Sequence, residues 1–394
     1  MPRAHRRKPR VGEDQLARGA KDLRGVTVAI RADASILIGT GHVMRCLTLA
    51  DFLRSEGAEV RFVSRALPGS LEHEIEARGF AVSVLRTPGE TYGHNSDPDD
   101  YAAWLGVGQE TDANETIDIL AGNGAWDWLV VDHYGIDHRW QTTVRPYVGQ
   151  VFVIDDLANR RHECDALLDA NFTYRAPARY AQLVPDRCRM LLGPAYSLLR
   201  DEFRNARAML SRGNGKLERI LIFFGGVDRP NLTVPAVRGA VTGASADVAI
   251  EVIAGANNPH WDELSAECAK CEQVSLFRQV DDMARRMADA DLAIGAGGTT
   301  TWERCALGLP ALIAAVAENQ EAIGQEAERY GVAKYLGHAS SLTVDDIARN
   351  VRQLVEEPER LTRMSRAALE LVDGRGVERV SNCILACQAE EARV

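Results

Sequence analysis

The chain has 394 residues, which is too long for one ordinary core and suits two domains of comparable size. It carries 46 Lys and Arg against 56 Asp and Glu, and the formal net charge of −10 argues against a large nucleic-acid or membrane surface. No apolar run approaches the roughly 18 residues of a membrane span, and no apolar signal-peptide core follows the basic opening MPRAHRRKPR. We expect a cytoplasmic protein whose residues 1–24 form a disordered basic tail; an RNA or membrane contact is the alternative use of that tail.

Two residue clusters are candidates for metal ligands. Cys268 and Cys271 lie in LSAECAKCEQ, a helix-like stretch without the glycine-containing knuckles of a zinc site. Asp155 and Asp156 end a strand-like run and are followed by arginines that would neutralise them, so we interpret them as structural or substrate-loop carboxylates. The eight cysteines are scattered, mostly in apolar stretches, as is typical of reduced thiols. We predict neither a metal nor another cofactor.

Short β-rich runs alternate with helical stretches along the chain, a pattern typical of parallel sheets covered by helices. Strands are predicted at 26–32, 58–64, 81–86, 128–133, 151–155 and 166–171, and again at 219–226, 248–255, 274–277, 291–298 and 311–316. The segment SRGNGK at 211–216 is the most linker-like part of the interior. We therefore predict an α/β fold with doubly wound domains at 25–210 and 217–375 and a C-terminal helix at 376–394, the helix-rich end 356–392 packing back across the halves.

A glycine turn separates the first predicted strand from the helix GHVMRCLTLADFLRS. Backbone N–H groups and the helix dipole at such a turn attract anions. The turn lacks the third glycine of a dinucleotide fingerprint and the Lys-Ser/Thr pair of an ATPase loop. Its candidate substrate-binding residues are Gly39, Thr40, Gly41 and Arg45.

His42 follows this turn at the start of the helix, where the positive end of the dipole favours a neutral imidazole. We predict that it is the base that deprotonates a water attacking the carbon next to a bound phosphate; simple packing is the alternative. Asp132 either orients His42 or caps its own strand, and the sequence does not separate these roles. Tyr134, just after the strand WLVVDH, is expected to contact a sugar or hold the water, unless it packs with its hydroxyl in solvent.

The second half contains two further glycine turns, FFGGVDRPNLT and IGAGGTTTWERCALGLP, each after a predicted strand. Backbone N–H groups and hydroxyls at these turns suit a diphosphate, and the carboxylate of Glu303 suits ribose hydroxyls. Glu303 pairing with Arg304 or Arg200 is the alternative. The candidate residues are Gly225, Gly226, Asn231, Gly297, Gly298, Thr299 and Glu303.

Six ordered segments between about residues 28 and 340 carry a family resemblance. They are RADASILIGTGHVMRCLTLA, VVDHYGIDHRW, IDDLANRRHECDALLDAN, LLGPAYSLLRDEF, FFGGVDRPNLT and GAGGTTTWERCALGLPALIAAVAENQ. Together they resemble the UDP-2,4-diacetamido-2,4,6-trideoxy-β-L-altropyranose hydrolases of pseudaminic acid biosynthesis, a nonulosonic acid pathway. The resemblance implies a GT-B-like fold, two Rossmann-like domains facing across a cleft. It also implies inverting, metal-independent hydrolysis at the anomeric carbon that releases UDP and free sugar.

The resemblance also implies residue roles. His42 matches the base of the family, and Tyr134 and Asn319 match residues of the substrate cleft, next to which Gln320 is a further substrate-binding candidate. The turn at 297–299 with Glu303 matches the nucleotide-binding element of the second domain. The basic N-terminal extension departs from the family pattern and affects none of these residues.

The chemistry fits a small residue set because UDP is a good leaving group, so phosphate-binding donors and one base suffice. Two other functions remain open at this point. A GT-B glycosyltransferase would use His42 to activate an acceptor hydroxyl, and a silent nucleotide-sugar-binding protein would use no base at all. The expected partners are a UDP-sugar and water, with no nucleic acid or membrane, and the expected state is a monomer.

Overall fold

The computed structural model describes residues 23–89, 100–171, 176–213, 215–256 and 258–391, without the side chains of residues 176, 319 and 385–391. Most of the expected tail and residue 214 of the expected linker therefore lie outside the described part. Leu23, which we assigned to the tail, is fully buried, and its backbone N–H donates to the carbonyl of Glu56 at 2.9 Å. Leu23 therefore belongs to the first domain, because it is part of that domain's core.

The first sheet contains seven parallel strands, in the order β3-β2-β1-β4-β5-β6-β7. They are β1 (Thr27–Ala32), β2 (Glu59–Arg65), β3 (Ala81–Leu85), β4 (Trp126–Asp132), β5 (Val148–Ile154), β6 (Ala166–Asp169) and β7 (Arg189–Leu192). The first six were predicted, with ends shifted by a few residues. Strand β7 was missed because it is a four-residue edge strand that begins with an exposed arginine.

The second sheet contains six parallel strands, in the order β10-β9-β8-β11-β12-β13. They are β8 (Arg219–Phe223), β9 (Ala249–Ala254), β10 (Val274–Arg278), β11 (Leu292–Ala296), β12 (Ala311–Ala315) and β13 (Ala333–His338). The sequence AKYLGH of β13 was missed, since this edge strand is half-exposed along most of its length and lacks the apolar run of its neighbours. The prediction of two parallel α/β sheets is confirmed.

Helices cover both sheets. In the first domain, built on the first sheet, they are α1 (Gly41–Ser55), α2 (Glu72–Ala77), α3 (Gln109–Ala121), α4 (His138–Val144), α5 (Ala176–Tyr180) and α6 (Asp201–Ala208). In the second domain they are α7 (Thr233–Gly243), α8 (Trp261–Cys268), α9 (Met283–Asp289), α10 (Thr300–Ala306), α11 (Glu318–Arg329), α12 (Val344–Glu356) and α13 (Pro358–Leu371), and α14 (Gly376–Glu391) is the last helix of the chain. Helix α6 packs against α9 and α10 and so leads from one domain to the other.

The last helix returns to the first domain, as expected for the end of the chain. Val377, Val380 and Ile384 of α14 are buried in the same core cluster as β1 and α1. Gly376 permits this return, because a Cβ at that position would lie 2.1 Å from the carbonyl oxygen of Ser197. The two domains are therefore joined by the chain at both 197–215 and 372–376.

The strand orders reverse direction at β1/β4 in the first sheet and at β8/β11 in the second. Ligands of open α/β sheets bind at such points, beside the carboxyl ends of the strands. Helix α1 follows β1, the loop with Tyr134 follows β4, and α10 follows β11. The topology therefore brings the predicted turns of both domains to the carboxyl edges of their sheets.

Candidate active site

His42 is the second residue of α1 and lies behind a tight turn. Gly39 has φ +79°, a conformation that favours glycine, and its N–H donates to the carbonyl of Ser35 at 2.8 Å. The hydroxyl of Ser35 accepts a second bond, from the N–H of Ile38 at 3.0 Å. The His42 side chain is 8% exposed at this position. The turn thus fixes the start of α1, and with it the imidazole.

Asp132, at the end of β4, binds this imidazole. Its Oδ1 lies 2.6 Å from Nδ1 of His42, and the carboxylate is fully buried. Burial by itself would raise the pKa of Asp132, but the Arg45 guanidinium and His42 offset it and hold that pKa well below its usual range. Because an ionised carboxylate only accepts hydrogen bonds, Nδ1 carries the proton and Nε2 is the acceptor. Asp132 therefore orients His42, which settles the role that the sequence left open.

Arg45, one turn further along α1, donates two hydrogen bonds to the same carboxylate. Its Nε donates to Oδ2 of Asp132 at 2.5 Å and its Nη2 to Oδ1 at 2.6 Å. Its Nη1 lies 3.7 Å from Oδ2 of Asp156. We predicted Arg45 as a substrate ligand, whereas the structure places its guanidinium between two carboxylates, since a buried Asp132 needs a compensating charge.

Tyr134 is committed to a hydrogen bond rather than to solvent. Its hydroxyl donates to Oδ1 of Asp156 at 2.5 Å, and its ring meets His42 edge-on with centroids 4.6 Å apart. Burial, followed by the charge of Asp156, raises the pKa of this phenol well above its ordinary value. The solvent-exposed alternative is wrong. With its proton bound to Asp156, the phenol oxygen serves as an acceptor beside His42.

Trp104 is part of this group of rings, although sequence reasoning missed it. It stacks on Tyr134 with centroids 5.5 Å apart and meets His42 edge-on at 6.0 Å. Trp104 and Tyr134 are buried together with Ile38 and Leu67. The aromatic spacing of YAAWL at 101–105 is the only sequence signal for it. These side chains surround the imidazole with apolar surface.

A buried ionic network beneath the site was also missed. The fully buried Arg31 pairs with Asp33 at 2.5 Å and with Asp112 at 2.7 Å. Nδ1 of His133 accepts the N–H of Gly135 at 3.0 Å and so holds the loop that carries Tyr134. Burial lowers the pKa of His133 to about 4, so this imidazole is neutral at physiological pH. The arginine inside the apolar run VAIRA is the signal that could have revealed the network.

An interdomain cavity of about 110 Å³ lies between α1 and α10. Gly41 and Arg45 of α1 line it from the first domain, and Thr299 and Glu303 line it from the second. Its remaining walls are Met44, Thr48, Ile154, Asp155, Asp156, Leu168, Ala170, Asn171, Ser197, Leu198, Leu199, Arg200 and Trp302. Predicted residues of both domains therefore share one cavity.

Glu303 forms an ion pair at the edge of this cavity. Its Oε1 accepts from Nη2 of Arg200 at 3.3 Å, which is one of the two pairings that the sequence left open. Burial raises the pKa of Glu303, and Arg200 acts in the opposite direction. Arg304 instead donates to the carbonyl of Ala296 at 2.6 Å and to the hydroxyl of Thr301 at 3.1 Å, and so ties α10 to the end of β11.

Gln320 lies against the glycine turn of the second domain. Its Oε1 accepts the N–H of Val316 at 3.2 Å, and a Cβ at Gly298 would be 4.0 Å from its Nε2. A Cβ at Gly297 would lie 3.1 Å from the carbonyl oxygen of Gln320, so the turn and α11 approach closely. The structure thus brings three predicted residues together. The side chain of Asn319 lies outside the described residues.

The turn at 225–231 is stabilised by contacts within the second domain. Gly225 has φ +93°, and a Cβ at Gly255 would lie 1.9 Å from the carbonyl oxygen of Gly226. Asn231 has φ +57°, and its Nδ2 donates to Oε2 of Glu263 on α8 at 2.8 Å. This contact uses the NH₂ group of the amide, and the ligand role of Asn231 stays a prediction. The unusual backbone angle, which local sequence does not reveal, places it there.

Asp155 and Asp156 have protein partners, as predicted. Asp155 pairs with Arg160 at 2.7 Å, while Asp156 accepts from Tyr134 and from Asn171. Within the described ranges, no cluster of three or more His, Cys, Asp or Glu has the geometry of a metal site. No helix in this part of the chain combines the length and hydropathy that crossing a bilayer requires.

Comparison with known proteins agrees with this architecture. Residues 220–380 match the glycosyltransferase family 28 C-terminal domain. The chain is 26% identical to the uncharacterised protein MJ1062 of Methanocaldococcus jannaschii, over 73% of this chain and 55% of that protein, so it spans about half the length of this relative. It is 25% identical to the UDP-2,4-diacetamido-2,4,6-trideoxy-β-L-altropyranose hydrolase of Campylobacter jejuni, over 68% of this chain and 83% of that protein.

Among solved structures, MurG of Acinetobacter baumannii superposes with a TM-score of 0.61 at 16% identity, covering 92% of this chain and 99% of that one. This likeness concerns the fold, since the sequences have diverged widely. The similarity to the Campylobacter hydrolase supports the family resemblance noted in the sequence. The chain therefore has a GT-B fold, built from two Rossmann-like domains, and residues 220–380 of the second domain are similar to the glycosyltransferase family 28 C-terminal domain.

Proposed function

We propose that the protein hydrolyses a UDP-linked sugar at its anomeric carbon and releases UDP and the free sugar. One observation carries this proposal: the buried carboxylate of Asp132 binds Nδ1 of His42 at 2.6 Å, which leaves Nε2 as the acceptor atom of a residue that directly follows Gly41 in the cavity wall. The resemblance to the Campylobacter hydrolase supports a UDP-2,4-diacetamido-2,4,6-trideoxy sugar as substrate, and a place in pseudaminic acid biosynthesis.

In the proposed reaction, Nε2 of His42 takes a proton from water while the water oxygen attacks the anomeric carbon. The bond between that carbon and the phosphate oxygen breaks, and its electron pair leaves with UDP. Attack opposite the leaving group inverts the configuration. The imidazolium that forms is stabilised by Asp132, and base catalysis of this kind contributes roughly 10²–10⁴ in rate.

The leaving group explains why one base suffices. Hydrolysis of ordinary glycosides needs a carboxylic acid that protonates the departing oxygen. UDP departs as a stable anion, so donors that stabilise its phosphates replace that acid. We assign these donors to the turns at 225–226 and 297–299, and the ribose hydroxyls to the carboxylate of Glu303. In the described residues both turns follow strands of one sheet, β8 and β11, that pair directly.

Tyr134 has a supporting role in this proposal. Its hydroxyl proton is held by Asp156, so its oxygen accepts a hydrogen bond from the water or from a sugar N–H or O–H. The ring stands 4.6 Å from the imidazole, close enough for one small molecule to contact both groups. Tyr134 therefore positions a reactant, and His42 moves the proton.

A nucleotide-sugar transferase is the second candidate, because residues 220–380 match a glycosyltransferase domain. In that case His42 would deprotonate an acceptor hydroxyl in place of water. The same base and the same leaving group serve both reactions, and only the nucleophile differs. A binding protein without catalysis would have no need of the oriented imidazole.

The test is UDP release from a panel of UDP-2,4-diacetamido-2,4,6-trideoxyhexoses with UDP-GlcNAc alongside, without acceptor, and with and without EDTA. We expect release from the altrose isomer, unaffected by EDTA. Release that requires an added acceptor would replace hydrolysis by transfer. No release under either condition, with UDP still bound, would leave the binding protein as the correct reading.

A further inference from the structure

A chain of hydrogen bonds crosses from the second domain to Tyr134. The indole N–H of Trp302, on α10, donates to Oδ1 of Asn171 at 3.0 Å. Nδ2 of Asn171 donates to Oδ2 of Asp156 at 2.9 Å, and Oδ1 of the same carboxylate accepts the Tyr134 hydroxyl at 2.5 Å. Three bonds thus connect α10 with the ring that lies against His42.

The chemistry of the partners fixes the orientation of the amide. An indole N–H only donates, so the atom of Asn171 that faces it is the oxygen. The carboxylate of Asp156 only accepts, so the atom that faces it is the NH₂ group. A side chain at this position must therefore offer an acceptor and a donor on one carbon. Aspartate would place a second carboxylate 2.9 Å from Asp156, and leucine would keep the shape without either bond.

Trp302 belongs to the structural element that we assign to the nucleotide. It lies one residue before Glu303, lines the same interdomain cavity and is 2% exposed within the core of the second domain. Its position is therefore set by the second domain, whereas Asp156 and Tyr134 follow β5 and β4 of the first. The bond from Trp302 to Asn171 forms only when the two domains are docked at this point.

We propose that Asn171 is a positioning residue through which docking of α10 sets the place of the Asp156 carboxylate and the Tyr134 hydroxyl. When the domains separate, Asn171 loses the indole donor and its amide is free to rotate away from Asp156. Its role in turnover rests on the proposed function. Through Asn171, the position of the Tyr134 hydroxyl in the first domain depends on α10, which we assign to the nucleotide in the second domain. Water attack is thereby favoured when the cleft is closed on its substrate.

Two variants isolate the link. Trp302→Phe removes the N–H and keeps an aromatic ring, and Asn171→Leu removes both amide bonds at similar size. Trp261→Phe is the matched control, because this tryptophan lies on α8 against Arg278, outside the interdomain cavity. The first measurement is amide hydrogen exchange over residues 134–136 in the free protein, which needs neither substrate nor turnover.

We expect faster exchange of this segment in Trp302→Phe and Asn171→Leu and no change in Trp261→Phe. In turnover, Trp302→Phe should lower kcat about tenfold, the effect of one lost hydrogen bond, and Asn171→Leu, which loses two, should lower it at least as much. UDP affinity should stay within about threefold of wild type in both variants. In a Tyr134→Phe background, Trp302→Phe should cost less than about twofold, because it acts through the hydroxyl already removed. A merely structural role would give the same loss in both backgrounds.

The two proposals fail in different ways. Unchanged exchange at 134–136, or equal losses of kcat with and without the Tyr134 hydroxyl, would overturn the positioning role of Asn171. Faster exchange in a protein whose wild type releases no UDP from any sugar would support the link and overturn the hydrolase proposal.

Discussion

The two sides of the interdomain cavity are built in different ways. On the first-domain side, the functional groups are side chains that hold one another: His42 by Asp132, Asp132 by Arg45, and Tyr134 by Asp156. On the second-domain side, the turn at 297–299 offers mainly backbone, and Glu303 stands at its edge with Arg200. The first side is suited to moving a proton, and the second to holding an anion.

This difference decides how each side responds to substitution. A bond between side chains is lost when one partner changes, and a buried charge is then left without compensation. Backbone donors persist when a neighbouring side chain changes. We therefore expect first-domain variants to affect turnover and second-domain variants to affect nucleotide affinity. Trp302 is the exception, because its indole N–H acts on the first domain through Asn171.

The largest expected effect is that of Asp132→Asn. The amide does not hold Nδ1–H of His42 as a carboxylate does, and it does not stabilise the imidazolium. We expect kcat to fall by about 10²–10⁴, the scale of a lost general base, with UDP affinity within about threefold. The control is Asp165→Asn, which removes a partly buried ion pair with Arg145 outside the site and should retain activity. Equal losses in the two variants would show that the effect is one of folding.

A smaller effect, on binding, is expected from Glu303→Gln. The amide oxygen still accepts, but the charge that strengthens hydrogen bonds from ribose hydroxyls is gone. We expect UDP to bind about tenfold more weakly, as measured by calorimetry, and kcat at saturating substrate to change by less than about threefold. Arg200 keeps Glu202 as a partner at 2.6 Å, so no charge is stranded. A loss in kcat alone would remove the distinction between the two sides.

The smallest expected effect is on the pH dependence of folding stability, and it comes from a carboxylate of the first domain. Burial, followed by the charge of Asp156, raises the pKa of Asp169 to about 7. The pKa of an aspartate in the unfolded chain is about 3.9, so the folded protein binds more protons than the unfolded one between about pH 4 and pH 7. The stability that Asp169 contributes is therefore present below pH 4 and lost as the pH rises through 7. Asp169→Asn removes this dependence and should gain about 1–3 kcal/mol relative to wild type between pH 5 and pH 8. Thermal unfolding of both proteins at the two pH values tests it, and a constant difference would contradict it.

The sequence predicted the fold well because its information is local. Apolar runs and glycine turns recur along the chain, and the strands that were missed, β7 and β13, are edge strands with little apolar surface. The place of His42 was likewise predictable, since it follows a glycine turn at the start of a helix.

The hydrogen-bond partners of the site residues could not be predicted, because they come from distant parts of the chain. Asp132 lies 90 residues from His42, and Asn171 lies 131 residues from Trp302. Single-sequence patterns show that a buried carboxylate needs a cation without showing which one. The contact of Asn231 with Glu263 has the same origin, because its φ of +57° directs the amide there in a way that its neighbours in sequence do not specify.

The most direct test of the central claim is UDP release by His42→Ala, measured beside UDP binding by the same variant. We expect release from the UDP-diacetamido sugar to fall by at least about 10²-fold while UDP binds with near wild-type affinity. Release at the wild-type rate with UDP bound would contradict it, because the imidazole that Asp132 holds would then not be the base.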